Sequence, residues 1–480
     1  MTGTVTKQTK QRRREATLAG KASASVRRNK IVCALALSVC FWFSVPYRPL
    51  MQGPEDLAQA AAFAAETNDG ALSRQIALPI IAVIGLYMLW RLPHRGRFGG
   101  GLRTAVLLFA GWALLSVAWS ESPSVSAKRL VVFALDAFFA YALARTFSVI
   151  EMALWGFATT GVVALLALYV DLIQQRIFSP FDPDYRFAGV MQPNYQAMNL
   201  TAGILCGLTL LEYLPARRAG AKRMVCAMLA VAAVLLFLTR SRLSAALCVV
   251  FAAYMLVRMA REAITPQGRA RVVVAGLLIT VPAGVYLVGQ NAGGAVQSVF
   301  MMGRADMENT SSLSNRAPLW SELLESAEKR PLIGFGYGAF WTPERLQAIS
   351  FDQGWIVPHA HNTYLDQALS LGIVGMLLYM AALWSACTIA WRRYREDRSA
   401  GSLLAGVLLS WIALEGVAES VPLDPYLPTM LAYACLVKMC MLQGSEAESD
   451  VSLTPGQVIG GWSPDEAVAS VRPLALAERS

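Results

Sequence analysis

His361 and four arginines, Arg186, Arg240, Arg242 and Arg316, are the residues whose types suit group transfer at an anionic centre. Arginine presents a planar fork of N–H donors that matches phosphate oxygens two at a time. Histidine has a reference pKa of about 6.5, so near neutral pH it can take a proton from a hydroxyl. A phosphate leaving group and an attacking hydroxyl need both: fixed positive donors where charge develops and a base where a proton departs. Each arginine alone reads as an interfacial anchor, and a lone histidine as an anchor ring. The set on one face of the protein reads as a site for an anionic headgroup.

The helix after His361 is expected to position it. In "PHAHNTYLDQALSLGIVG", residues 358–375, two of the three histidines stand just before an apolar run. Winding 361–379 as one helix puts His361, Leu365, Ala368, Gly372, Gly375 and Tyr379 on one stripe, with the histidine about 16 Å above Gly372. Ala368 and Gly372 form a small-xxx-small pair, which predicts that Gly372 and Gly375 let a neighbouring helix pack closely.

Composition decides the solvent. The chain has 480 residues, 55% hydrophobic and 15% charged, with a net charge of +10. Soluble domains carry about 25% charged residues, so this chain is built for lipid. The basic excess fits cytoplasmic loops rather than nucleic-acid binding. The eight cysteines lie in apolar runs without metal-ligand spacing and read as small buried hydrophobes.

Apolar runs long enough for a bilayer core of about 30 Å fall near 31–48, 76–90, 104–119, 130–145, 153–173, 195–214, 224–239, 243–258, 272–290, 363–390, 403–420 and 427–442. This predicts an all-α polytopic membrane protein of about twelve spans. With the first connection outside, the segments 1–30, 91–103, 215–223, 258–271 and 391–402 are cytoplasmic and hold nine, four, four, four and four basic residues, as the positive-inside rule requires. Both termini are then cytoplasmic, and the thirty residues before the first span are long for a cleaved signal. Residues 1–30 form a basic tail, 31–442 the transmembrane domain and 443–480 a polar tail of disordered composition.

The outer face holds one large loop, 291–361, containing an amphipathic helix near Pro318 with Trp320, Leu323, Leu324 and Ala327 at helical spacing. "GFGYGAF", 334–340, reads as a turn rather than a phosphate cradle, because no strand–turn–helix context surrounds it. Asp182-Pro183-Asp184 has the Asp-x-Asp spacing of metal–nucleotide sites, but the proline reads as a turn. No metal or other cofactor is expected. Asp136, Glu415, Glu419 and Asp424 are carboxylates in or near spans, and the sequence leaves their roles open.

His361-Asn362, nine residues, then Gly372-x-x-Gly375 resembles the His-[Asn/Ser/Gln]-x9-Gly-x-x-Gly pattern of bacterial O-antigen ligases and the related exopolysaccharide polymerases. The resemblance extends to "RFAGVMQPNYQA", the Ser241-Arg242 pair and "NRAPLW…RPLIGFGYGAFW", and covers about residues 100–435. It implies an inner-membrane, metal-independent inverting glycosyltransferase that moves an oligosaccharide from a polyprenyl (undecaprenyl) diphosphate to a sugar hydroxyl on the outer face. By that resemblance His361, Arg242 and Arg316 are catalytic, and Arg186, Arg240 and Asn362 bind substrate. The implied partners are the lipid-linked donor, an acceptor glycan, the bilayer, and polysaccharide export and chain-length proteins. The "RFAGVMQPN" segment and the loop before His361 look closer to the polymerases than to the ligases. A transporter or lipid-oligosaccharide flippase is the rival class, but the halves show no internal repeat and the polar cluster lies at a boundary rather than the midplane.

Overall fold

A computed structural model describes residues 25–39, 72–93, 98–262, 276 and 316–452, apart from 175–176, 181, 183–184, 190, 216–217, 356 and 422–425. In chain order the helices are α1 (25–39), α2 (Leu72–Arg91), α3 (Gly100–Leu115, continued by a 3-10 turn to Trp119) and α4 (Pro123–Thr146). Then follow α5 (Val149–Tyr169, continued by a π turn to Gln174), α6 (Pro193–Tyr213), α7 (Ala219–Leu238) and α8 (Arg242–Glu262). The last are α9 (Arg316–Glu328), α10 (Pro343–Gln353), α11 (Thr363–Asp397), α12 (Ala400–Glu415) and α13 (Leu427–Ser452). There is no strand among the described residues. The protein is an all-α polytopic membrane protein. The expected span at 272–290, most of the loop before Arg316, residue 424 and most of the two tails lie outside the described residues.

Local chemistry sets the helix starts. Ser148 and Glu151 cap α5 reciprocally, each side chain bonded to the other's backbone N–H. Pro123 and Pro193 stand in the first turns of α4 and α6, where a missing N–H costs nothing. Thr342 caps α10 and Ser399 caps α12. The first helix begins within the expected basic tail, and Lys30 pairs with Glu151 at 2.7 Å. α13 runs to Ser452, past the expected end of the last span.

Among the described residues, five helices are long and apolar enough to cross a membrane: Gly100–Trp119, Val149–Ile173, Ala219–Leu238, Arg242–Arg261 and Thr363–Asp397. Shorter apolar helices cover Ile76–Arg91, Ala400–Glu415 and Leu427–Leu442. α6 has polar residues inside it, Gln196, Asn199, Thr201 and Thr209, yet these are all buried. It is the central helix, walled by α5, α7, α8 and α12. Its Gly203 and Gly207 bring α6 against α5: a Cβ there would lie 2.4 Å from Thr160 Cγ2 and 2.7 Å from Phe157 Cε2. This G-x-x-x-G face is where a helix approaches closely through small residues.

The expected small-residue seam on α11 is corrected. Gly372 has φ 68 and ψ −176, so the stripe from Leu365 to Tyr379 is broken there rather than continuous. At 35 residues a straight helix would be about 52 Å long, more than a bilayer core requires. The break frees the carbonyls that precede it. Leu369 O accepts from Phe335 N at 2.9 Å, Ser370 O from Gly336 N at 2.9 Å and Leu371 O from Trp112 Nε1 at 3.0 Å. Beyond the break, Ile373 N donates to Pro331 O at 2.8 Å. The close neighbour of Gly372 is thus the loop carbonyl of Leu332, 2.1 Å from where a Cβ would stand, and not another helix.

Candidate active site

The last part of the loop before α11 folds over the start of that helix around its own small core. Leu319 and Leu323 of α9, Phe335, Phe340, Trp341, Ile349 of α10, Val357, Ala360, Leu365 and Leu369 pack together. The amphipathic helix exists, with one correction to its face. Leu319 and Leu323 are buried, whereas Leu324 is exposed. α10 was not anticipated, although Thr342-Pro343-Glu344 carries a cap signal. "GFGYGAF" is a turn, with Gly334, Gly336 and Gly338 all at positive φ. Its amides are already bonded, Phe335 N and Gly336 N to α11, Tyr337 N to Ser116 Oγ and Ala339 N to Gly336 O, so they cannot cradle a phosphate.

This core presents His361 at the end of the loop, one residue before the N-cap. Asn362 is that cap, and its Oδ1 accepts from Tyr364 N and Leu365 N at 3.0 and 3.1 Å. The structure therefore gives Asn362 a structural task where substrate contact was expected. His361 itself has φ 48, in the left-handed region that a non-glycine residue occupies at a cost of about 1–3 kcal/mol. The conformation turns its ring inward, where it is 4% exposed.

There Nδ1 of His361 meets Oε2 of Glu419 at 3.1 Å. Oε1 of the same carboxylate accepts from Arg316 Nη2 at 2.6 Å and from Asn194 Nδ2 at 2.6 Å. Arg316 Nη1 also donates to the Ala418 carbonyl. Asn194 Oδ1 accepts from Arg186 Nη2 at 2.8 Å, and Arg186 Nε donates to Thr239 O at 3.0 Å. One buried glutamate thus joins the loop histidine, the α9 arginine and the turn that opens α6.

A second buried carboxylate fixes the backbone around the histidine. Asp366 Oδ1 accepts from Trp341 Nε1 at 2.9 Å and Ala360 N at 3.2 Å, and its Oδ2 accepts from Ser420 Oγ. On the other side, Nε2 of His361 is buried without a hydrogen-bond partner, and so is Nε1 of Trp355, whose ring centroid lies 5.4 Å away. An orphaned buried polar atom costs about 1–3 kcal/mol. Two of them on adjacent rings, an acceptor and a donor, mark a place for a ligand or water. The half-buried N-cap Gln192 and two buried amides on α6, Gln196 and Asn199, continue polar character into the bundle, each with an unpartnered atom.

The remaining sequence-chosen residues are placed differently. Arg242 opens α8 with its side chain exposed. Arg240 is buried at φ 54 and donates to the Asp182 carbonyl. Asp182 N bonds Ser179 O and Tyr185 N bonds Asp182 O; Pro183 and Asp184 lie outside the described residues. Glu415 accepts from Ser244 Oγ and Trp411 Nε1, and Asp136 is buried within α4. The seven described cysteines are free.

The fold and this site define a polytopic membrane protein in which a histidine and two arginines are joined through a buried glutamate and an asparagine. Residues 226–380 match the family model described as O-antigen ligase. The chain is also similar to the "Exopolysaccharide production protein ExoQ" of Rhizobium meliloti (strain 1021), 24% identical over 364 residues, which cover 72% of this chain and 79% of that protein. The family recognised from the His361–Gly375 spacing is the family these matches return. The matched segment contains Arg242, Arg316 and His361 and leaves Arg186, Asn194 and Glu419 outside it. Asn194 is the candidate that sequence reasoning did not single out, although it lies within "RFAGVMQPNYQA". Glu419 was named only as one of two carboxylates near the end of a span, with its role left open.

Proposed function

We propose that the chain is a glycosyltransferase that builds polysaccharide by moving an oligosaccharide from a polyprenyl diphosphate to a sugar hydroxyl, inverting the anomeric carbon. The observation that carries this reading is the setting of His361. With a carboxylate accepting at Nδ1, that nitrogen bears the hydrogen, and in the neutral ring the lone pair is on the buried, unpartnered Nε2. An acceptor hydroxyl entering beside Trp355 finds an acceptor in one ring and a donor in the other.

The reaction balances around these groups. The hydroxyl proton passes to Nε2 as its oxygen bonds the anomeric carbon. The bond to the diphosphate oxygen breaks with its electron pair, and Glu419 stabilises the imidazolium that forms. Two of the five N–H groups of Arg316 are bonded, so three remain for the leaving diphosphate. Arg242, exposed at the start of α8, supplies a second guanidinium from the same lip. The donor carries its own leaving group, so neither nucleotide nor metal enters the scheme. The site lies on the outer face of the bacterial inner membrane in this reading, with both termini in the cytoplasm and about twelve spans between them.

Polymerase is favoured over ligase because the curated relative that aligns along most of this chain is named for exopolysaccharide production. The family model's description keeps ligation to a lipid A core as the second reading. Deleting the gene distinguishes them. The polymerase reading expects loss of high-molecular-weight polysaccharide with single repeat units accumulating on lipid. Polymer that forms on its lipid carrier but never reaches lipopolysaccharide would identify a ligase.

A further inference from the structure

We infer that His359 is a positioning residue for His361, holding it in the conformation that places its ring on Glu419. The inference rests on the reading of His361 as the base. The backbone N–H of His361, at φ 48, donates to Nδ1 of His359 at 3.2 Å, and the two ring centroids are 4.2 Å apart. An imidazole nitrogen that accepts bears no hydrogen, so the hydrogen of His359 is on Nε2. That nitrogen meets Tyr195 Oη at 2.9 Å. Tyr195 is itself fixed, stacked on Tyr426 with centroids 4.4 Å apart. The Tyr426–Tyr195 pair thereby fixes the orientation of the His359 ring, and His359 in turn captures the amide of His361.

The left-handed backbone of His361 has no glycine to make it easy, and it needs a partner that rewards that conformation. When the acceptor at position 359 is lost, the His361 backbone can relax towards the extended region. Its imidazole then swings away from Glu419. The chemical step suffers while the surfaces that bind donor and acceptor remain.

The test uses the full chain in proteoliposomes, with lipid-diphosphate oligosaccharides extracted from cells lacking the gene as donor and acceptor. His359→Asn places an oxygen where Nδ1 was and keeps the acceptor; His359→Gln and His359→Ala do not. The expected result is His359→Asn within a few-fold of the parent protein. Gln and Ala lose roughly 100-fold in kcat with KM little changed, the size of effect a misplaced catalytic group produces. Tyr195→Phe, which removes the bond that orients the His359 ring, falls between. Wild-type kcat in His359→Ala, or His359→Asn as impaired as Ala, would overturn the inference. If Ala fails to fold, the Asn and Gln pair alone decides it. Full activity in His361→Ala removes the base reading itself, whereas an inert His361→Ala beside an active His359→Ala removes only this inference.

Discussion

Glu419 stands 3.1 Å from Nδ1 of His361, although 58 residues separate them in the chain. The same carboxylate takes Arg316 and Asn194 on its other oxygen, so it both orients the His361 ring and neutralises a guanidinium. Glu419→Gln keeps the shape and removes the charge. The expected outcome is a kcat loss on the order of 10²-fold or more, because the imidazolium loses its counter-charge and the tautomer is no longer fixed. Steady-state kinetics with thermal unfolding on the same sample checks it, and unchanged kcat would detach Glu419 from the chemistry.

Arg316 and Arg242 should behave differently. Arg316 is paired with a buried glutamate, with its side chain 15% exposed, and removing one partner of a buried pair costs about 3–5 kcal/mol. Arg316→Ala is therefore expected to lower both the unfolding temperature and activity. Arg316→Lys should also fail, since one ammonium cannot reproduce the fork to Ala418, Glu419 and a diphosphate. Arg242→Ala should leave stability unchanged and impair turnover. A fully active Arg242→Ala would remove it from the donor site.

Gly372→Ala tests the break in α11. The φ of 68 with ψ near 180° is close to glycine-only and costs another residue about 1–3 kcal/mol. The added methyl would also lie 2.1 Å from the Leu332 carbonyl. Reduced yield of folded protein and a lower unfolding temperature are expected. Gly111→Ala on α3, where nothing lies within 4 Å of the new Cβ, should be neutral or slightly stabilising. Equal behaviour of the two would mean that the break is not needed.

Much of this was legible from residue pattern, for reasons that also mark its limits. Apolar runs with proline and serine caps disclose helices locally, which is why α3 to α8 and α11 to α13 fall close to the predicted runs. α6 was legible as apolar but not as central, because burial of Gln196 and Asn199 depends on its neighbours. The break at Gly372 depends on carbonyls bonding a loop about 35 residues upstream, which no helical-wheel pattern encodes. The His361 motif was legible because its spacing is local. Its partners were not: Asn194 and Glu419 are 225 residues apart in sequence and share one hydrogen bond. Arg240 and Arg242 look equivalent in "TRSRL", yet one turns inward to a backbone carbonyl and the other outward.

The side of the membrane is tested by reporter fusions. Those after residues 97, 219 and 396 should report cytoplasm, and those near 185 and 325 the outside. Alkaline phosphatase activity at 219 would invert the topology and move the His361 site to the wrong face for a lipid-linked donor delivered outside.

The most direct measurement of the central claim is product formation by purified protein in proteoliposomes supplied with polyprenyl-diphosphate oligosaccharide. The parent protein should form a new glycosidic bond and release polyprenyl diphosphate, in the presence of a chelator. His361→Ala, equally folded by thermal unfolding, should lose about 10²–10⁴-fold in rate, the usual contribution of a general base. Undiminished product from His361→Ala, or transfer of the lipid-linked sugar across the membrane without any covalent product, would contradict the account.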